Sequence, residues 1–212
     1  MRTDDERFAP HRGCLRASAV GDSPWSSQVP GRRGVDQHTS RGIQRFQFPG
    51  FAGRDSALMT PAVPSGIEVE IEDLQRSIEL NHDRIIELVH FVLEDQNHRG
   101  RVGLCFVEDE QIARLHQQFM NDPSVTDVIT FPLEERDSGQ LDGEIVISTE
   151  TAVRQAPEHH LGPLEETHLY VIHGLLHLLG HDDLQPAQAE AMGRLQEDLL
   201  ERWNRANQGF HD

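Results

Sequence analysis

Apolar and charged residues alternate through Ile67-Glu68-Val69-Glu70-Ile71, and a period of two predicts a half-buried strand. The rhythm then changes. Asn81 offers a side-chain cap, and over about 82–97 the residues Ile85, Ile86, Leu88, Val89, Val92 and Leu93 recur at helical spacing. Val102–Val107 is a second strand. Glu110–Met120 is a second helix with Ile112, Leu115 and Phe119 inward, broken by Asn121-Asp122-Pro123-Ser124. Two more strands follow, Val128–Phe131 and Glu144–Ser148, joined by a loop that holds Asp137-Ser138-Gly139 and Asp142-Gly143. Thr149–Ala156 starts a short helix. Pro163 suits the first turn of an apolar helix over about 164–179. A last amphipathic helix, over about 186–205, packs Ala189, Met192, Leu195, Leu199 and Trp203.

Strands and helices interleave, but one strand pair is joined by a loop alone. That pattern predicts an α+β fold: a mixed four-stranded sheet with about five packed helices. Within it, the apolar helix over 164–179 carries the chemistry. Residues 173–183 read HGLLHLLGHDD. His173 and His177 are four apart, so both imidazoles leave one helix face with Cβ atoms roughly 5–6 Å apart. Two nitrogens at that spacing reach one ion at about 2.0–2.1 Å each. Gly180 can end the helix in a left-handed turn, after which Asp183 or, failing it, His181 closes the site. Two His and one carboxylate leave a fourth position open, as in catalytic rather than structural zinc sites. A bare His-x-x-x-His pair says little, since thirteen His in 212 residues give about one by chance. The information lies in the whole string on an apolar helix. The plain alternative is a helix with two ordinary, partly buried His.

At these residues the chain resembles the bacterial YbeY family, rRNA maturation factors described as single-strand-specific endoribonucleases. The family string is H-G-x-L-H-L-x-G-x-D-H, and this sequence departs from it only at the last position. TDVITFP at 126–132 resembles the family's T-[DN]-V-[LI]-[ST]-F-P, and GEIVIS at 143–148 its G-D-[IL]-V-I-S. The likeness covers about residues 66–207. It implies an α+β fold, one zinc ion per chain, His173 and His177 as metal ligands, and a single-stranded or precursor rRNA substrate. It also implies small ribosomal subunit proteins and an assembly GTPase as partners.

Two positions depart. The family's third His falls on Asp183, and a carboxylate is a good zinc ligand at about 2.0–2.2 Å. The metal would then carry one more negative charge and be a slightly weaker Lewis acid. Many members carry an Arg where this chain has Met120. An Arg stabilises charge on a phosphoryl group, and Met cannot. His116, one turn earlier, is a candidate substitute; the bland reading of it is a solvated surface residue. Asp127 is a candidate catalytic group at a strand end beside a cleft. Asp127 or Glu144 can orient a ligating imidazole, Glu144 being equally a solvated strand-end carboxylate. Asp182 reads as a turn residue or as a partner that supports a ligand from behind, and Phe131 and Trp203 as core rather than base-stacking platforms.

Charge complicates an RNA substrate. The formal net charge is −17, and there is no Lys. Residues 1–59 are net +3, with nine Arg, and residues 60–212 are net −20. Phosphate contacts supply most nucleic-acid affinity, so a local basic groove, the metal or a partner has to compensate. Residues 1–59, rich in Arg, Gly and Pro, read as a disordered extension. Met59 is expected to be the real start and the preceding stretch a gene-model artefact; a basic RNA-contacting arm is the alternative. Residues 60–212 read as one hydrolase-like domain. Cys14 and Cys105 make neither a C-x-x-C pair nor a disulfide framework. There is no apolar signal core and no run near ~18 apolar residues, so a reduced cytoplasmic setting is the default.

Three functions remain. The first is a metal-dependent endoribonuclease. The second is a non-catalytic, metal-stabilised ribosome-assembly factor, which Met120 and the acidic core favour. The third is a zinc metallopeptidase, since H-x-x-x-H-x-x-G-x-x-D resembles a metzincin-type motif. Those enzymes need Glu directly after the first His, and this chain has Gly174.

Overall fold

The computed structural model describes residues 66–133 and 141–207. The expectations for residues 1–59 and for Asp137-Ser138-Gly139 lie outside them. The described residues form β1 (Ile67–Asp73), α1 (His82–Asp95), β2 (Gly100–Val107), α2 (Asp109–Met120), β3 (Val128–Pro132), β4 (Leu141–Ser148), α3 (Thr149–Gln155), α4 (Pro163–Leu178) and α5 (Pro186–Asn207). The sheet order is β1-β2-β4-β3. β1, β2 and β4 run parallel, and β3 pairs antiparallel with β4. The fold is therefore α+β with a mixed four-stranded sheet and five helices, as the pattern predicts.

All four strands run longer than periodicity suggests, β2 and β4 at their N-terminal ends. β4 begins at Leu141, so Asp142 and Gly143 are strand residues rather than loop. β2 begins at Gly100, paired with Ile67 on one side and Leu141 on the other. Pairing partners extend these ends, and local sequence does not report partners. α1 starts where Asn81 accepts a hydrogen bond from the Arg84 N–H at 3.2 Å. Its Ile85, Leu88, Val89, Val92 and Leu93 are buried, each contributing about 2 kcal/mol by removal from water. In α2, Ile112 and Leu115 are buried, but Phe119 is not inward: it is 40% exposed and meets Phe131 edge-on at 5.0 Å.

The two sheet faces carry unequal loads. α1, α4 and α5 pack with Val102, Leu104, Phe106, Ile145 and Ile147 into the main core. α2 covers part of the other face in a small cluster with Cys105, Val107, Ile129 and Val146. α4 sits deepest. Every residue from Glu166 to Leu178 is buried, which explains why its sequence is apolar nearly all round. Pro163 opens it, and the Glu165 carboxylate accepts from the Gly162 N–H at 2.9 Å. Gly174 is where α4 meets the sheet: a Cβ there would lie 2.5 Å from Ile145 Cγ2. The glycine lets helix and strand touch backbone to side chain.

Candidate metal centre

α4 ends in a Schellman turn. Gly180 takes φ +99°, a conformation open to glycine, and its N–H donates to the His177 carbonyl at 3.0 Å. The His181 N–H donates back to the Leu176 carbonyl at 2.9 Å. The chain thereby reverses over the last helical turn. Asp182 Oδ1 then accepts from the Leu184 N–H at 3.0 Å, the turn role expected of it. This reversal returns Asp183 to the helix face that bears His173 and His177. One ligand atom from each of the three lies within 4.8 Å of the others. His177 Nε2 and Asp183 Oδ2 are 3.8 Å apart.

The protons on the two imidazoles are set from outside. His173 Nδ1 is 2.9 Å from Gln196 Oε1, an acceptor, and that contact favours the proton on Nδ1. His177 Nδ1 is 3.1 Å from the His181 carbonyl oxygen and donates to it. Burial pulls both imidazoles down to about 4, with His173 adding to the effect on His177. Both rings are therefore neutral near pH 7, and with the protons on Nδ1 each Nε2 offers a lone pair. Those two nitrogens face each other at 3.1 Å. Two nitrogens bound tetrahedrally at about 2.0–2.1 Å sit about 3.3 Å apart. Two converging lone pairs with a carboxylate beside them fit a divalent cation.

His181 has no such role for its side chain. Its carbonyl is committed to His177, and its imidazole is not among the converging groups. Asp127, at the mouth of β3, accepts from Thr126 Oγ1 at 3.0 Å and from the Val128 N–H at 2.8 Å. Burial pushes its carboxyl above the usual range, and these hydrogen bonds and His177 oppose the rise. It thus lies within electrostatic reach of the centre. Below it on α4, the fully buried Glu166 pairs with His159 at 2.9 Å.

Two candidates fall elsewhere. Glu144 lies on the opposite face of β4 from its neighbours Gly143 and Ile145, which meet Leu178 and the Gly174 position of α4. Strand alternation turns it away from the imidazoles. His116 is not solvated: it is 3% exposed, with Nδ1 held 2.8 Å from the Ser124 carbonyl. It ties α2 to the loop before β3. Met120, at the position where many members of the resembled family carry an Arg, packs on the small cluster under α2. Trp203 is buried against Phe91 at 5.8 Å, a core residue. Gln196 escaped the sequence reading. Its signal was a polar residue on the same stripe as Met192 and Leu199.

The family model described as Endoribonuclease YbeY matches residues 70–204. The chain belongs to the YbeY family. An Endoribonuclease YbeY from Protochlamydia amoebophila is 39% identical over 118 residues, 55% of this chain and 77% of that protein. One from a Mycobacterium species is 31% identical over 151 residues, 65% of this chain and 84% of that protein. A Thermotoga maritima protein solved in solution is 27% identical with a TM-score of 0.47, covering 66% of this chain and 93% of that one. The span matched by the YbeY model takes in His173, His177, Asp183 and Gln196. No helix among the described residues is long and apolar enough to cross a membrane.

Proposed function

We propose that this chain is a single-strand-specific, metal-dependent endoribonuclease acting in rRNA maturation and ribosome assembly or quality control. One zinc ion would be held by His173, His177 and Asp183. The observation that carries the reading is the pair of Nε2 atoms 3.1 Å apart beside a carboxylate, in a member of a family named for endoribonuclease activity. Bound there, the ion supplies Lewis acidity toward a phosphodiester oxygen and makes a water molecule easier to deprotonate. Two neutral imidazoles and one carboxylate leave a divalent ion with net positive charge, which favours an anionic substrate in an otherwise acidic chain. Asp127 acts through the electrostatics of His177, and His116 by fixing the loop that leads to Asp127.

Family resemblance supports single-stranded rRNA or its precursor as substrate, and small-subunit proteins and an assembly GTPase as partners. A non-catalytic assembly factor is the second reading. Met120 favours it, because an apolar side chain packed on the α2 cluster stands where many family members carry an Arg, and Met cannot stabilise phosphoryl charge. Proteolysis is disfavoured by packing. A glutamate in place of Gly174 would put its Cβ 2.5 Å from Ile145 Cγ2.

The test is zinc content per chain, measured on protein purified without chelator, together with cleavage of single-stranded RNA. Wild type should hold about one zinc per chain and cleave, and His177→Ala should lose both. Cleavage by metal-free His177→Ala would sink the reading.

A further inference from the structure

Gln196 is the buried polar residue that the fold has no packing reason to keep. It is 1% exposed and lies on α5 between Met192 and Leu199, both buried. A buried amide costs free energy unless it is hydrogen-bonded, and an apolar side chain would fit this stripe without that cost. The amide oxygen meets His173 Nδ1 at 2.9 Å.

We infer that Gln196 is a positioning residue: by holding the His173 proton on Nδ1, it keeps the site open to a metal ion. The inference rests on the metal reading above. In water a neutral imidazole prefers its proton on Nε2. If His173 took that form here, its Nε2–H would point at His177 Nε2, 3.1 Å away. The two rings would then hydrogen-bond to each other, and the nitrogen meant for the metal would be occupied by a proton. The His177 proton is already committed to the His181 carbonyl, so His177 accepts readily. The acceptor at 196 favours the open arrangement. It reaches the centre from α5, not from the helix and turn that carry the three converging groups, so docking of α5 and metal binding are coupled.

The amide is also neutral. With Asp183 already supplying one negative charge, a neutral partner for His173 leaves the centre's net charge undiminished. A glutamate at 196 would preserve the acceptor and add charge, making His173 a better donor.

The test uses the full chain. Nitrogen-15 spectra of the metal-free protein report which ring nitrogen of His173 carries the proton, and competition against a chelator reports zinc affinity. Wild type should show Nδ1–H. Gln196→Met should move the proton to Nε2 and weaken zinc binding about 10–100-fold. Gln196→Glu should keep Nδ1–H and bind zinc at least as tightly as wild type. The two readings fail separately. Wild-type protein that takes up no zinc sinks the metal centre. Nε2–H in the wild type, or unchanged tautomer and affinity in Gln196→Met, sinks the role of Gln196. If the Met variant does not fold, Gln196→Glu decides: folded protein with weakened zinc binding or an Nε2–H overturns the inference.

Discussion

The backbone carbonyl of His181 accepts the Nδ1 proton of His177 at 3.1 Å, so the turn that ends α4 also fixes the imidazole four residues before it. Helix termination and ligand orientation are one structural event. The identity of the side chain at 181 is irrelevant to that contact, while the side chain at 183 enters the cluster directly.

Asp183→Ala should therefore lose zinc, with affinity down at least about 100-fold, and His181→Ala should bind nearly as wild type. Chelator competition on the two variants checks this. Zinc lost in His181→Ala and kept in Asp183→Ala would move the third ligand to position 181.

Gly174 is held by contact, not by backbone conformation. Gly174→Ala places a Cβ against Ile145 Cγ2 and Cδ1 and Val128 Cγ1, at 2.5, 3.1 and 3.3 Å. Forcing α4 off the sheet should cost about 1–3 kcal/mol. Ile145→Ala removes both clashing Ile145 atoms, so it should cost less in the Gly174→Ala chain than in the wild type. Urea titrations of the single and double variants give the answer, and an unperturbed single variant would refute the close packing.

The metal-free protein should weaken as acid is added, and the sign follows from burial. His168, His173 and His177 are each pulled down to about 4 by burial, from an unfolded value near 6.5. Between those values the unfolded chain binds more protons than the folded one, so stability falls as pH drops from about 6.5 towards 4. A fully neutral buried group contributes on the order of 3 kcal/mol across that window. His168 sits edge-on to Trp203 at 6.3 Å and away from the centre, so His168→Phe isolates its share. Denaturant midpoints at pH 7 and pH 5 should converge in that variant more than in wild type.

Met120→Arg should raise cleavage of single-stranded RNA. Met120 is only partly buried against the α2 cluster, so an arginine stem can lie over that cluster and extend its head to water. The stability cost should stay below about 1.5 kcal/mol. Unchanged turnover in a folded variant would mean that the missing cation does not limit this chain.

Much of the architecture was legible before any coordinates. Alternation at Ile67–Ile71, helical spacing at Ile85–Leu93 and the caps at Asn81 and Pro163 report local preferences, and the tertiary structure agrees with them. The spacing of His173, His177, Gly180 and Asp183 likewise encodes a helix face and a reversal, because 3.6 residues per turn and a left-handed glycine are local facts. What the pattern missed was set by distant neighbours. β4 extends back to Leu141 because β2 offers partners there. Phe119 turns outward to meet Phe131, and His116 inward to the Ser124 carbonyl.

The centre divides along the same line. Sequence determined which side chains share the face of α4, since they are separated by a single turn and a short reversal. Tertiary structure alone decided that Glu144 faces away, that position 174 has no room for a side chain, and that Gln196, 23 residues beyond His173, holds its proton. Those outcomes depend on which strand lies under α4 and how α5 docks across it. Neither is written in local spacing, because packing is a relation between segments and not a property of one.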